Sequence, residues 1–249
     1  MINIKSKTDL GKMRLAGKIA ANALKLAGES IKIGMTTFAL DKIIHDYIVG
    51  QGAKPSFLGY GGFPASACIS INNEVIHGIP NIKRRIMDGD IVSVDVGAYI
   101  NGFHGDTCAT FAVGEISDEA KRLLEVTEAS LYAGIEQAKV DSRIGDIAHT
   151  IEEYCVSRGY AVVKKYCGHG VGKELHEAPE VPNYGKPGFG PRLVPGMTIA
   201  IEPMINVTGE DVSVLRDGWT VLTKSGSLSA HFEHTIAITP DGAVILTQP

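Results

Sequence analysis

The chain has 249 residues, 44% of them hydrophobic and 21% charged, with a net charge of −4. This is an ordinary balance for a globular protein, and the chain is long enough to bury a sizeable core. It gives no electrostatic reason to expect nucleic acid or an anionic membrane as partner, and no run of about 18 apolar residues marks a membrane span.

In chain order, the first 35 residues carry Lys5, Lys7, Asp9, Lys12, Arg14 and Lys18, so no signal peptide is expected. Helical spacing of apolar residues predicts a helix over residues 8–27. A second, over 37–49, follows a threonine cap and stops at Gly50. Residues 91–100 and 103–113 read as strands flanking Asn101-Gly102, the strongest short hairpin signal. Ser117 opens a third helix to about 138, and 147–156 forms a fourth. "MTIAIEPMI" and "HFEHTIAIT" are later strands, with a last turn at "TPDG". Pro- and Gly-rich loops are expected over 55–64 and 179–195. Cys68, Cys108, Cys155 and Cys167 form no C-x-x-C pair and read as reduced thiols of a cytoplasmic protein.

An internal repeat organises these elements. At a shift of 107 residues Leu40 falls on Ile147, Tyr47 on Tyr154 and Gly52 on Gly159. At the same shift Gly89 meets Gly196 and Asp95 meets Glu202. After a further 20 residues inserted in the second half, His104 meets His231 and Asp106 meets Glu233. A shift of 92 sets His77 on His169. Acidic residues meet acidic residues twice, in order, inside strand-like segments. The pattern predicts an α+β fold of two α-α-β-β halves about a pseudo-two-fold axis, with a curved β surface covered by helices on its outside. One domain is expected over 1–249, its halves roughly 1–115 and 116–249.

A two-residue turn at Asn101-Gly102 sets the hairpin register. Asp95 then opposes Cys108, and Asp106 opposes Gly97. Residues two apart share a face, so the two aspartates are diagonal neighbours on one side of the sheet. Their carboxylates can reach a common point, and by the repeat those of Glu202 and Glu233 are expected to do the same from the other half. One reading is a set of surface carboxylates on the polar face of an antiparallel sheet. The other is convergence on a buried point. There, two like charges 4 Å apart repel by about 4 kcal/mol at an effective dielectric near 20. No basic residue lies within four positions of Asp95, Asp106 or Glu202. Two divalent cations would balance four carboxylates, as in hydrolases that hold paired metals about 3.5–4 Å apart.

"CGHGVG" surrounds His169 with glycines that permit close approach to a ligand. Imidazole with carboxylates suits Co, Mn, Fe or Zn. The spacing of His169 and His176 is not the i, i+4 pair of a zincin helix. His77 and His176 are candidates for proton handling or carbonyl polarisation. Cys167 near His169 leaves a thiol nucleophile as a minor alternative. Trp219 is the only tryptophan and lies in the second half's insertion, as core packing or as a lid.

Taken together, "CISINNEVIHGIP", "VDVGAYINGFHGDT", "CGHGVGKELHEAP", "AIEPM" and "AHFEHTIAI", in this order, resemble the type I methionine aminopeptidases, metallopeptidases of the pita-bread fold. The resemblance runs nearly end to end. It implies Asp95, Asp106, His169, Glu202 and Glu233 as ligands of two divalent metals, Asp106 and Glu233 serving both. It implies His77 near the substrate's amino terminus and His176 stabilising the tetrahedral intermediate. Glu202 would accept the proton of the attacking water and return one to the leaving amine. A methionine pocket maps to Tyr60, Phe63, Cys68 and Trp219, with Phe57 and Leu175 nearby. Phe63 stands where the family often has tyrosine, and Leu175 where it often has phenylalanine. The implied substrates are peptides and nascent chains that begin with methionine before a small residue. The implied state is a cytoplasmic monomer, with contact to the ribosome left open. A proline-directed relative of the same fold is the alternative enzyme, and a non-catalytic binding protein the alternative class.

Overall fold

The computed structural model describes residues 2–249. Its four α-helices are α1, Lys7–Ser30; α2, Thr37–Gly50; α3, Asp118–Gln137; and α4, Ile144–Val156, with one short 3-10 turn at Tyr60–Gly62. Each start has a local cause. Ser6 and Asp9 close a reciprocal capping box, with Ser6 Oγ accepting from Asp9 N and the Asp9 carboxylate accepting from Ser6 N. This starts α1 one residue ahead of the expected position, and the helix runs through Gly28 to Ser30. Thr36 caps α2 and Ser117 caps α3. α4 starts a turn earlier than residue 147 because the Asp146 carboxylate accepts from Arg143 N at 2.7 Å.

The main sheet has nine strands, all paired antiparallel. Its path runs Lys54–Pro55, Ile91–Ile100, Phe103–Ala112, Glu233–Thr239, Thr198–Ile201, Gly168–Gly170, Glu177–Val181. Ala67–Ile71 adds to Ile91–Ile100, and Gly242–Ile245 adds to Glu233–Thr239. The seam is the pairing of Phe103–Ala112 with Glu233–Thr239, one strand from each half. The partner strands on either side, Ile91–Ile100 and Thr198–Ile201, are the two that the repeat equates. Residues 179–181, read as loop, extend an edge strand instead. Pro179 is tolerated there because an edge leaves one side of the ladder unpaired. Two three-stranded sheets complete the fold.

Alternation decides which face meets the helices. Val92, Val94 and Val96 pack with Leu40, Ile44 and Ile48 of α2. In the second half Ile199, Ile201, Ile236 and Ile238 pack with Leu131, Ile147 and Ile151. Each such side chain contributes roughly 1.5–3 kcal/mol when fully buried. The opposite parity, which includes Asp95, must face away from the helices into the concave side of the sheet.

Candidate metal centre

Asn101 and Gly102 both have positive φ, 54° and 82°, as a type I′ turn requires. The turn pairs Ile100 with Phe103, and therefore Asp95 with Cys108 and Gly97 with Asp106. The diagonal placement of the two aspartates follows from the turn alone. At the seam Glu233 pairs with Cys108, which puts Asp95, Cys108 and Glu233 in one row across three strands. Glu202 follows Ile201, the partner of His234, and its carbonyl accepts from Asn183 Nδ2 at 3.0 Å. His169 comes from the strand beyond, where its neighbour Gly170 pairs with Ile199.

All five side chains converge. Ligand atoms of Asp106, His169 and Glu233 lie within 4.8 Å of one another. His169 Nε2 is 3.5 Å from Glu202 Oε1 and 3.9 Å from Asp106 Oδ2. His169 Nδ1 donates to the Gly170 carbonyl at 2.9 Å, which leaves the Nε2 lone pair aimed into the cluster. Asp95 completes the group beside Asp106. Burial forces the Asp95, Glu202 and Glu233 carboxyls well up from the usual range, and the neighbouring Asp106 charge adds to this. Asp106 is pushed up to about 7, chiefly by burial. Burial drives His169 down to about 3, so its imidazole is neutral at ordinary pH.

Asp95 Oδ1, Asp106 Oδ1 and Glu233 Oε1 are buried without a hydrogen-bond partner. Among the described residues, the only basic side chains within 4 Å of the carboxylates are His169 and His231. Orphaned buried oxygens cost about 1–3 kcal/mol each, more when charged. Hard oxygen donors with one neutral imidazole fit divalent first-row cations. The residues present therefore fit a metal centre.

A cavity of about 330 Å³ opens onto this cluster. One side is an apolar slot built by Phe57, Phe63, Cys68 and Leu175, with Trp219 against it. The Trp219 ring meets Phe63 edge-on at 5.2 Å, so it is a pocket wall. His176 Nδ1 shares a hydrogen bond with the Tyr60 hydroxyl at 2.7 Å, and its ring centroid is 4.1 Å from that of His169. His77 sits between Trp219 and Tyr166, at 6.1 and 6.0 Å. Its φ of +59° is one that side-chain-bearing residues adopt rarely, and such strain concentrates at functional sites. Burial, then the neighbouring His176, lowers its pKa to about 4.

Every residue expected from the sequence lines this one cavity. Ile76, Lys165 and Tyr166 also line it, and His231 backs it, without an expected role. Tyr166 faces His77. His231 lies buried behind the cluster, with Nε2 3.6 Å from Glu202 Oε2. The position of His231 two residues before Glu233 on the chain was the available signal, since alternate residues share a face. The thiol alternative is disfavoured: burial, then the Glu180 and Glu202 charges, raise the Cys167 pKa and outweigh a hydrogen bond from the Val181 backbone. All four cysteines are unpaired.

Known proteins point the same way. The model of metallopeptidase family M24 matches residues 11–240. The methionine aminopeptidase of Clostridium acetobutylicum is 53% identical over 247 residues, 99% of each chain. Methionine aminopeptidase 1 of Bacillus subtilis is 51% identical over 248 residues, the whole of both. The crystal structure of the Thermotoga maritima methionine aminopeptidase superposes with a TM-score of 0.99 at 45% identity, covering 100% of both chains. Prolidase from Pyrococcus furiosus has the same fold at a TM-score of 0.81, but with 25% identity, and this chain covers 65% of it. The chain belongs to metallopeptidase family M24, in its methionine aminopeptidase branch, with the pita-bread fold.

Proposed function

We propose that the chain removes the N-terminal methionine from peptides and nascent proteins whose second residue is small, with two divalent cations held by Asp95, Asp106, His169, Glu202 and Glu233. The observation that carries this reading is the set of orphaned carboxylate oxygens beside an apolar slot of side-chain size. Bound divalent cations supply a water of lowered pKa and polarise the scissile carbonyl. Phe57, Phe63, Cys68, Leu175 and Trp219 take the methionine side chain, which fixes the first peptide bond over the cluster. Tyr60 closes the slot and holds His176 through its hydroxyl. His77 is neutral at working pH and accepts from the substrate's ammonium group. Glu202 takes the proton of the attacking water and passes one to the leaving amine. The Nε2–H of His176 donates to the oxygen that gains charge in the transition state. The four unpaired cysteines suit a reducing, cytoplasmic setting. No helix among the described residues is long and apolar enough to cross a membrane.

Initial rates on Met-Ala-Ser, Met-Leu-Ser and a Leu-Pro peptide, with Mn²⁺ present, test the reading. Met-Ala-Ser is expected to exceed the other two by roughly 100-fold in kcat/KM, the size of discrimination a shaped pocket provides. Equal rates, or preference for the proline peptide, would overturn it.

A further inference from the structure

Lys5 and Glu177 form an ion pair remote in sequence and almost without exposure, 5% and 4% for the side chains. Taking two charges out of water is costly, and such a pair is weak evidence of stability on its own. We propose that this pair is a positioning device, which holds the 172–177 loop so that His176 stands in its working place. The inference rests on the oxyanion role given to His176 above.

The loop is folded around the Glu177 carboxylate. Oε2 pairs with Lys5 Nζ, while Oε1 accepts from the backbone N–H groups of Lys173 and Glu174 at 2.8 and 3.3 Å. The closeness leaves no room for a side chain at Gly172, where a Cβ would stand 2.4 Å from Glu177 Oε1 and 2.6 Å from Lys5 Cε. His104 N donates to the Gly172 carbonyl at 2.9 Å, tying the loop to the hairpin two residues from Asp106. The Glu177 backbone pairs with Gly170, next to His169. The loop is thus tied to the two strands that carry Asp106 and His169.

Lys5 is itself held. Its N–H donates to Gly196 O at 2.8 Å, and its ammonium donates to Asn3 O at 3.2 Å. Ser6, the next residue, caps α1. An ammonium on a fixed backbone thus anchors the carboxylate that shapes the loop, and His176 is the residue immediately before that carboxylate. A pair that served only to pin the N-terminal segment would affect melting temperature, and its loss would act independently of His176.

The test is a double-mutant cycle of Lys5→Met and His176→Ala, assayed on Met-Ala-Ser with saturating Mn²⁺ below the melting temperature of every variant. Lys5→Met is expected to lower kcat about tenfold with KM changed less than about threefold, and to cost under about twofold when His176 is already alanine. Lys5→Arg restores kcat to within about threefold of wild type, because it keeps the buried charge. Equal losses in both backgrounds, or wild-type kcat in Lys5→Met, would overturn the positioning role. Wild-type kcat in His176→Ala alone would remove the oxyanion role, and this inference with it. If Lys5→Met does not fold, Glu177→Gln enters the same cycle; it keeps an oxygen for the two loop amides and removes the charge.

Discussion

Glu202→Gln lowers kcat on Met-Ala-Ser by about 10²–10⁴-fold, the range carried by a positioned general base. The amide keeps the size of the side chain and one oxygen, so packing is nearly unchanged. What it loses is the ability to take a proton and the charge of one metal ligand, the latter offset by saturating Mn²⁺. Glu202 is well placed to take one. It is 9% exposed and lies between His169 at 3.5 Å and His231 at 3.6 Å, with its own carbonyl fixed by Asn183. In the metal-free chain burial and the Asp106 charge push its carboxyl up; bound cations would lower it again and leave the carboxylate form that can accept a proton. Steady-state kinetics at saturating Mn²⁺, with thermal melts of both proteins, check this. A loss below about tenfold with an intact fold would assign the proton transfer elsewhere.

Gly105→Val is expected to cost about 3 kcal/mol or more, seen as a fall of roughly 6–12 °C in melting temperature. Gly105 lies on the helix-facing side of the hairpin, one residue before Asp106. A Cβ there would stand 2.4 Å from Gly17 N, 2.5 Å from Gly17 Cα and 2.7 Å from Ala16 C. These are backbone atoms of α1, so the helix must move as a body. Valine favours strands, so the cost is the collision rather than propensity. An unchanged melting temperature would mean that α1 does not press on the hairpin as described.

The hairpin and its aspartates were legible because they rest on short-range rules. A two-residue turn fixes register, and period-two alternation fixes the face, so the Asp95–Asp106 relation needs no tertiary information. The repeat carried the convergence to Glu202 and Glu233 but not the diagonal placement, because pairing of Ile201 with His234 sets Glu202 level with Glu233. The start of α4 was missed because its cap is Asp146 reaching back, rather than a serine or threonine ahead. The small sheets were missed because strands such as Glu74–Ile76 and Val221–Thr223 are three residues long, too short for a period. The Lys5–Glu177 pair joins positions 172 residues apart, and no local pattern announces such a contact. Likewise Tyr166 reaches the centre from a loop, through packing against His77.

Mn²⁺ titration calorimetry of the metal-free chain and of Asp106→Asn tests the carboxylate centre most directly. In the metal-free chain burial holds Asp106 at about 7 and His169 down at about 3, and raises the other buried carboxyls as well. At Asp106, protons compete with metal below about pH 7 and cease to compete above it. Affinity should therefore rise between about pH 6 and pH 8, with proton release at the lower pH and much weaker binding in Asp106→Asn. Affinity flat across that range with no proton release, or wild-type binding by Asp106→Asn, would contradict it.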